Sequence, residues 1–302
     1  MRFEHWSTRV KNCHALGTIE MNNRNERYMA EIEEGKRFAF GKNWARFLSA
    51  LDERKIVAAE QSLRDMLKID DWRRVKFLDI GSGSGLFSLA ARRLGAVVRS
   101  VDFDAQSVAC ARELKRRYFP EDSNWIVEQA SVLDKEFISS AGKWDIVYSW
   151  GVLHHTGDMS LALSNASELV LDHGAIYISI YNDQGSTSLR WLAIKKLYNR
   201  LPNALRWLIL APAMFRLWGW VTVRDLIRGR PFQTWRDYSS RSVRGMLPWR
   251  DVVDWVGGLP FEVATPEKIF YFFKERGFVL QELRTCGGGH GCNEFVLRKM
   301  SI

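Results

Sequence analysis

The sequence predicts an α/β fold in which helices cover a mostly parallel β-sheet, and three observations lead to this prediction. Short buried-strand patterns alternate with helical stretches through the middle of the chain, at the spacing typical of βαβ units. The first strand pattern runs into a glycine-rich turn, and the second ends at Asp102. Two further strand patterns near the C-terminus bring the expected number of strands to seven.

Composition restricts the class of protein. With 302 residues and 46% hydrophobic content, the chain is long enough for one large α/β domain with an added element, or for two small domains. The four cysteines are too few and too scattered for a disulfide framework and are expected to be reduced thiols. The charged start of the chain, from Met1 to Val10, lacks the apolar run of a secretory signal, so the expected compartment is the cytoplasm.

Residues 1–70 are predicted to form an N-terminal helical cap. Between Arg37 and Leu67, apolar residues recur at the spacing of two helices. The first set consists of Trp44, Phe47, Leu48 and Leu51, and the second of Ile56, Leu63, Met66 and Leu67.

Residues 71–183 are predicted to form the core domain. The expected strands are Val75–Ile80, Val97–Val101, Trp125–Gln129, Trp144–Tyr148 and Gly174–Ile180. The expected helices are Leu86–Arg93, Ala105–Arg117 and Met159–Val170. Ligands of such sheets bind at the carboxyl ends of the parallel strands, where the glycine-rich turn and Asp102 are expected to lie.

Residues 184–245 interrupt this alternation and are predicted to form an inserted helical subdomain. Residues 246–302 then complete the sheet with the strands Phe278–Thr285 and Glu294–Lys299. An amphipathic helix is expected in the insertion, with an apolar face of Trp191, Ile194, Tyr198 and Leu201 and a polar face of Arg190, Lys195, Lys196 and Arg200. The apolar run Ala204–Val223 contains two arginines, a proline and a glycine, so a transmembrane span is not expected.

The turn after the first strand is the candidate ligand site. Gly81, Gly83 and Gly85 allow close approach of the backbone to a ligand, and the next helix begins with unbonded N–H groups. This pattern alone fits an NAD or FAD site, or a tight turn without a ligand. Asp102 adds a carboxylate at the end of the next strand, placed to accept hydrogen bonds from both hydroxyls of a ribose. Asp104, just before a helix, is a candidate N-cap.

Three segments together resemble the successive motifs of class I S-adenosyl-L-methionine (SAM)-dependent methyltransferases. They are Leu78-Asp-Ile-Gly-Ser-Gly-Ser-Gly85, Val101-Asp-Phe-Asp104 and Trp144-Asp-Ile-Val-Tyr-Ser-Trp-Gly-Val-Leu-His-His155. The glycine spacing differs from the Gly-x-Gly-x-x-Gly of dehydrogenases. The resemblance covers about residues 75–181. It implies SAM as cofactor and a Rossmann-like, mostly parallel seven-stranded sheet with an antiparallel last strand.

The same resemblance implies a set of cofactor-binding residues. They are Asp79, Gly81, Ser82, Gly83, Gly85, Asp102, Phe103, Ser131, Val132, Trp150 and Gly151. By resemblance, Asp79 organises the glycine loop, Asp102 holds the ribose and Phe103 packs on adenine. Ser131 departs from the Asp that is common beside the adenine amino group. The backbone at Trp150 is expected near the methionine moiety.

His154 and His155 follow the fourth strand at the carboxyl edge of the sheet and are the candidate catalytic residues. Methyl transfer depends largely on positioning the acceptor atom behind the methyl group, and a base is needed only where that atom must lose a proton. A neutral imidazole suits deprotonation of a hydroxyl near pH 7. The alternative is that one histidine packs or hydrogen-bonds at the helix start near Asp158.

The C-terminal part holds Cys286-Gly-Gly-Gly-His-Gly-Cys292 between its two strands. This spacing matches none of the common zinc sites and lacks a clear fourth ligand, so no metal is expected. The glycine-rich loop is predicted to border the acceptor pocket.

The insertion is strongly basic. Residues 184–245 hold 12 Lys and Arg against two Asp, a local excess of +10, and five of the 13 tryptophans. This favours either peripheral contact with the anionic inner face of a membrane or an internal lid or oligomer interface. In position the insertion resembles that of ubiquinone-pathway O-methyltransferases. RNA is less favoured as a partner, because the run from Leu205 to Val223 is too apolar for a nucleic-acid face.

The predicted function is therefore SAM-dependent methylation of a small-molecule or lipid-like acceptor, on oxygen more than on nitrogen or carbon. Two alternatives stay open. One is an RNA methyltransferase, and the other is a catalytically silent SAM-binding assembly partner.

Overall fold

The structure is a computed structural model that describes residues 26, 28–41, 44, 48, 51–241 and 248–301. Cys13, Phe47 and the part of the predicted cap before residue 26 lie outside the described residues, so the predictions made for them stay predictions. Seven strands form one sheet, namely β1 Lys76–Ile80, β2 Val97–Asp102, β3 Trp125–Gln129, β4 Trp144–Trp150, β5 Val170–Tyr181, β6 Phe278–Arg284 and β7 Cys292–Lys299.

The strands lie in the order β3-β2-β1-β4-β5-β7-β6. Strands β1 to β5 pair in parallel, and β7 runs antiparallel between β5 and β6. The chain order reverses between β1 and β4, and ligands of open α/β sheets bind in the crevice at such a point. The predicted Rossmann-like sheet of seven strands with an antiparallel last strand is confirmed.

Helices form in most of the segments for which the sequence predicts them. They are α1 Glu53–Leu67, α2 Leu86–Leu94, α3 Ala105–Tyr118, α4 Lys135–Ser140, α5 Met159–Glu168, α6 Ser186–Arg200, α7 Trp207–Ile227, α8 Gln233–Arg241, α9 Pro248–Gly257 and α10 Pro266–Lys274. Asp104 is the N-cap of α3, because its Oδ1 accepts the backbone N–H of Gln106 at 2.9 Å. This N-cap prediction is confirmed.

The sheet separates two apolar clusters, because successive residues of a strand point to opposite faces. In β1, Phe77 joins the cluster formed with α1 and α2, whereas Leu78 joins the cluster on the other face, with α5 and α10. Both side chains are fully buried. Burying such a side chain stabilises the fold by roughly 1.5–3 kcal/mol relative to leaving it exposed. This core holds the carboxyl ends of the strands in fixed positions.

The insertion has an apolar cluster of its own. Trp191 and Tyr198 of α6 pack with Leu210 of α7 and with Val252 and Val256 of α9. Helix α9 thus packs on the insertion helices, although it follows the predicted boundary at residue 245. Across the described part of the chain, no helix has both the length and the apolar character needed to cross a bilayer.

The prediction that Lys195 lies on the polar face of the amphipathic helix is wrong, because this side chain is fully buried. Its ammonium donates to the backbone carbonyl of Trp255, in the last turn of α9, where carbonyl groups lack partners within the helix. The ammonium also lies 4.6 Å from the ring centroid of Trp255 and 4.5 Å from that of Phe261. Burial lowers the pKa of Lys195 to about 7.

This buried lysine predicts a pH-dependent stability. The unfolded chain binds more protons than the folded chain between pH 7 and 10, because the lysine pKa is about 7 when folded and about 10.4 when unfolded. The free energy of unfolding should therefore rise with pH in this window, with a contribution of about 2 kcal/mol between pH 7 and pH 9.

Urea unfolding at pH 7, 8 and 9 tests this expectation. Lys195→Met keeps the apolar stem and should remove the rise, whereas Lys196→Met, at an exposed neighbouring position, should keep it. Equal slopes for the parent and Lys195→Met would contradict the prediction.

Candidate active site

A cavity of about 1470 Å³ lies at the carboxyl ends of the parallel strands. Its walls come from the loops after β1 to β5, from residues 28–40 with Trp44, from the insertion with α9, and from the segment between β6 and β7. Pockets for one drug-sized ligand occupy roughly 300–1,000 Å³. The volume is therefore sufficient for a cofactor and a second molecule side by side.

The glycine turn after β1 adopts a conformation that requires glycine. Gly81, Gly83 and Gly85 have φ values of +74°, +55° and +82°, a region that side chains disfavour. A Cβ atom on Gly83 would lie 2.9 Å from the indole of Trp44, and one on Gly81 would lie 2.4 Å from Val152. The turn therefore brings bare backbone to the cavity wall.

Asp79, at the base of this turn, is held by a chain of buried hydrogen bonds. Ser88 Oγ donates to Asp79 Oδ2 at 2.5 Å, and Ser100 Oγ donates to Ser88 Oγ at 2.6 Å. The indole N–H of Trp125 donates in turn to Ser100 Oγ at 2.8 Å. Sequence reasoning missed these three supporting residues, which lie on α2, β2 and β3. They fix the orientation of the Asp79 carboxylate beneath the glycine turn.

Asp102 places its carboxylate in the cavity wall at the end of β2. Its Oδ2 accepts the backbone N–H of Gly83 at 2.9 Å, and its Oδ1 accepts that of Asp104 at 2.9 Å. Burial raises the pKa of Asp102 to about 7, against the lowering effect of these hydrogen bonds. A carboxylate has about four acceptor positions, so this group has capacity for ligand donors as well.

Asp104 joins the N-terminal segment to this site, a role that sequence reasoning missed. Its Oδ2 accepts the hydroxyl of Tyr28 at 2.7 Å and the backbone N–H of Gly41 at 2.8 Å. Tyr28 packs edge-on against Phe103 at 5.4 Å, and the Arg37 guanidinium lies 5.4 Å from the same ring. The N-terminal segment thus covers the cavity near Asp102.

The structure brings most of the predicted cofactor residues to one cavity. Those that line it are Asp79, Gly81, Ser82, Gly83, Asp102, Phe103, Ser131, Val132, Trp150 and Gly151. Gly85 instead precedes α2, where a Cβ would lie 2.9 Å from the backbone of Ala111. Gly85 therefore allows α2 and α3 to approach each other.

The two candidate histidines differ in position. His155 lines the cavity, whereas His154 is fully buried, with its ring centroid 4.0 Å from that of Tyr181. Nδ1 of His155 lies 2.5 Å from the carbonyl oxygen of Pro260. A carbonyl only accepts hydrogen bonds, so Nδ1 carries the proton of the neutral ring and Nε2 is its basic nitrogen.

The other wall of the cavity is rich in aromatic residues. Trp218 and Tyr238 of the insertion lie there with Trp255 of α9 and Tyr181 at the end of β5. The Tyr238 hydroxyl donates to Asp251 Oδ2 at 2.6 Å. Sequence reasoning offered an internal lid as one interpretation of the insertion but did not identify these residues, because no local pattern shows which side of α7 faces the cavity.

The loop between β6 and β7 borders the cavity through His290 and Gly291. The backbone N–H of Cys286 donates to Asn293 Oδ1 at 3.1 Å, and Cys286 Sγ lies 3.3 Å from the carbonyl oxygen of Gly289. Within the described ranges, His, Cys, Asp and Glu side chains do not gather in threes that would hold a metal ion.

Comparisons with known proteins agree on one family. The family model described as "Methyltransferase domain" matches residues 33–238, about two thirds of the chain. The chain is 26% identical over 110 residues to a ubiquinone biosynthesis O-methyltransferase of Pelagibacter ubique, covering 36% of this chain and 43% of that protein. It is 24% identical over 119 residues to a protein of the same description from Bartonella quintana, covering 39% and 46%. The chain thus spans less than half the length of these curated relatives.

One solved structure supports the fold. Magnesium protoporphyrin IX methyltransferase from Synechocystis, crystallised with bound SAH, matches with a TM-score of 0.51 and 14% sequence identity. The match covers 86% of this chain and 94% of that one.

Proposed function

The chain belongs to the methyltransferase-domain family, and on this premise we propose that it transfers a methyl group from SAM to a hydroxyl oxygen of a small-molecule or lipid-like acceptor. One observation carries the proposal. The glycine turn with Asp102 and the imidazole of His155 line the same cavity, which has room for two molecules.

The chemistry of the cavity residues suits SAM. Asp102 supplies acceptor oxygens for the two ribose hydroxyls, in addition to the backbone donors that it already holds. The glycine turn presents the backbone of Gly81 and Gly83, which carry no side chain, at the cavity wall. Phe103 and Val132 supply apolar surface for the adenine ring, and Asp79 holds the turn in place.

Methyl transfer to a hydroxyl requires only displacement of the methyl group from sulfur and removal of the hydroxyl proton. When bound, SAM supplies an electrophilic methyl group on a positively charged sulfur. The acceptor oxygen forms a bond to the methyl carbon while the carbon–sulfur bond breaks and its electron pair stays on sulfur. Nε2 of His155 receives the hydroxyl proton, a role typically worth 10²–10⁴ in rate.

The acceptor class is supported by the cavity wall and by the relatives. Trp218, Trp255 and Tyr181 offer aromatic surface suited to an apolar or planar body. The two bacterial relatives carry the description of ubiquinone biosynthesis O-methyltransferases, which favours oxygen as the methylated atom.

A radiolabel assay tests this function. The protein is incubated with methyl-labelled SAM and a cell extract, which is then separated into lipid, aqueous small-molecule, RNA and protein fractions. Label is expected in the lipid or the small-molecule fraction. Label in RNA would favour an RNA methyltransferase, and no label in any fraction would favour a silent SAM-binding protein.

We also propose that the insertion contacts an anionic membrane surface. Large apolar side chains of α7 are exposed, among them Phe215 at 78%, Trp220 at 75% and Ile227 at 78%. Arg216 and Arg228 are exposed on the same helix and just beyond it. Exposed aromatic rings beside arginines combine apolar burial with attraction to anionic headgroups. Because Leu217 and Trp218 line the cavity, a lipid-like acceptor has a short path to the site.

Vesicle flotation tests this contact. The parent protein should float with vesicles that contain anionic lipid, and the double variant Phe215→Glu with Trp220→Glu should lose most of this binding. Tyr271→Glu is the matched control, because Tyr271 of α10 is also exposed, at 56%, but lies outside the insertion. Equal recovery of the parent with and without anionic vesicles would contradict the proposal.

A further inference from the structure

His290 is a second imidazole in the wall of the cavity, and the proposed function does not use it. It is carried by the glycine-rich loop between β6 and β7, whereas His155 follows β4. Ring contacts connect the two histidines in a row. The centroid of His155 lies 5.2 Å from that of Tyr181, Tyr181 lies 5.0 Å from Trp255, and Trp255 lies 5.4 Å from His290. The imidazoles therefore stand at the two ends of an aromatic surface.

The loop that carries His290 is held in place by the segment that follows β5. The backbone N–H of Asn182 donates to the carbonyl oxygen of Gly291 at 3.0 Å, and Gln184 Nε2 donates to that of Gly288 at 3.1 Å. Asn293 Nδ2 donates to Asn182 Oδ1 at 3.0 Å. These bonds hold the loop on both sides of the imidazole, so its position relative to the cavity is defined.

The surroundings of His290 keep its ring neutral. Burial, together with the positive charge of Arg216, lowers the pKa of His290. Its ring also lies edge-on to Trp191 at 5.6 Å. Nδ1 is buried and has no hydrogen-bond partner among the residues that the structure describes. An N–H group in such a position would be left without an acceptor, so Nδ1 is the basic nitrogen of the neutral ring and Nε2 carries the proton.

We propose that Nε2 of His290 donates a hydrogen bond to an oxygen of the methyl acceptor, remote from the oxygen that is methylated, and thereby selects acceptors that carry a second oxygen. This inference rests on the proposed function for the identity of the occupant. An acceptor lying along Tyr181 and Trp255 would meet His155 at one end and His290 at the other. The preferred acceptor is then a planar or apolar body that carries a carbonyl, ether or hydroxyl oxygen at a second position.

Binding of a matched pair of probes tests the proposal. The probes are 6-methoxy-2-naphthol and 6-ethyl-2-naphthol, which share the ring and a hydroxyl for His155 and differ in one hydrogen-bond-accepting oxygen. Their affinities are measured by calorimetry with the full chain in the presence of S-adenosylhomocysteine. The parent should prefer the methoxy probe by at least about fivefold, the lower end of the penalty for an unmade buried hydrogen bond.

Variants identify the residue that binds this oxygen. His290→Phe should abolish the preference, and His290→Asn, whose amide N–H donates a hydrogen bond, should restore part of it. His155→Phe should keep the preference. The proposal is overturned if the parent shows no preference or binds neither probe, or if the preference survives in His290→Phe. Because the measurement involves no methyl transfer, a failure of the proposed function would be seen separately, in the radiolabel assay.

Discussion

Replacing Asp102 with Ala is expected to weaken SAM binding by roughly a hundredfold or more. The proposed role of this carboxylate is to accept hydrogen bonds from both ribose hydroxyls, and a hydrogen bond to a charged group contributes about 1.5–3 kcal/mol. The substitution also removes the acceptors for the backbone N–H groups of Gly83 and Asp104, which loosens the glycine turn. Isothermal titration calorimetry with SAM measures the loss directly.

Two comparisons separate the ribose contact from a general loss of fold. Asp172→Ala removes an exposed carboxylate of β5 that does not line the cavity, and it should bind SAM like the parent. Asp102→Asn keeps the shape and one acceptor oxygen, so its affinity should fall between those of the parent and Asp102→Ala. If Asp102→Ala binds SAM as tightly as the parent, the assignment of the ribose to this residue is wrong.

The pH dependence of binding gives an independent readout of the same carboxyl group. Burial raises the pKa of Asp102 to about 7, and the ionised form is the one that accepts both hydroxyls. The affinity of the parent for SAM should therefore increase from pH 6 to pH 8 and then level off. In Asp102→Asn this increase should be absent, because an amide does not titrate in this range.

Much of the sheet and of the cofactor loop could be predicted from the sequence because their signals are local. A buried strand shows as a short apolar run, and the turn after β1 needs glycine at Gly81 and Gly83 for backbone reasons that hold in any context. Asp102 was found in the same way, by its distance along the chain from the glycines. Its position in the cavity wall follows from the parallel pairing of β1 and β2.

The remaining features depend on contacts between distant parts of the chain. Lys195 has the sequence neighbours of a solvated residue, but the carbonyl that it binds belongs to Trp255, 60 residues away. Asp104 was predicted as an N-cap from its local context, whereas its bond to Tyr28 spans 76 residues. His290 was considered only as a metal ligand and loop residue, because nothing near it in sequence indicates the tryptophans against which it packs.

The second large expected effect is a loss of turnover when His155, and not His154, is replaced. His155→Gln should lower turnover by roughly 10²–10⁴, the usual contribution of a general base, and should leave the affinity for SAM unchanged. His154→Phe should keep turnover within a few-fold of the parent, because the ring of His154 is fully buried and does not line the cavity. The assay is transfer of labelled methyl to the extract fraction in which the parent places it.

Because His154 packs at 4.0 Å on the ring of Tyr181, its substitution is expected to lower stability, and turnover must be compared at a temperature at which both variants are folded. Thermal unfolding of each variant defines that temperature. A similar loss of turnover in both variants would contradict the assignment of the base to His155. It would indicate instead that the turn Leu153–His155 acts as a unit that orients the acceptor against Tyr181, so that positioning, and not proton removal, sets the rate.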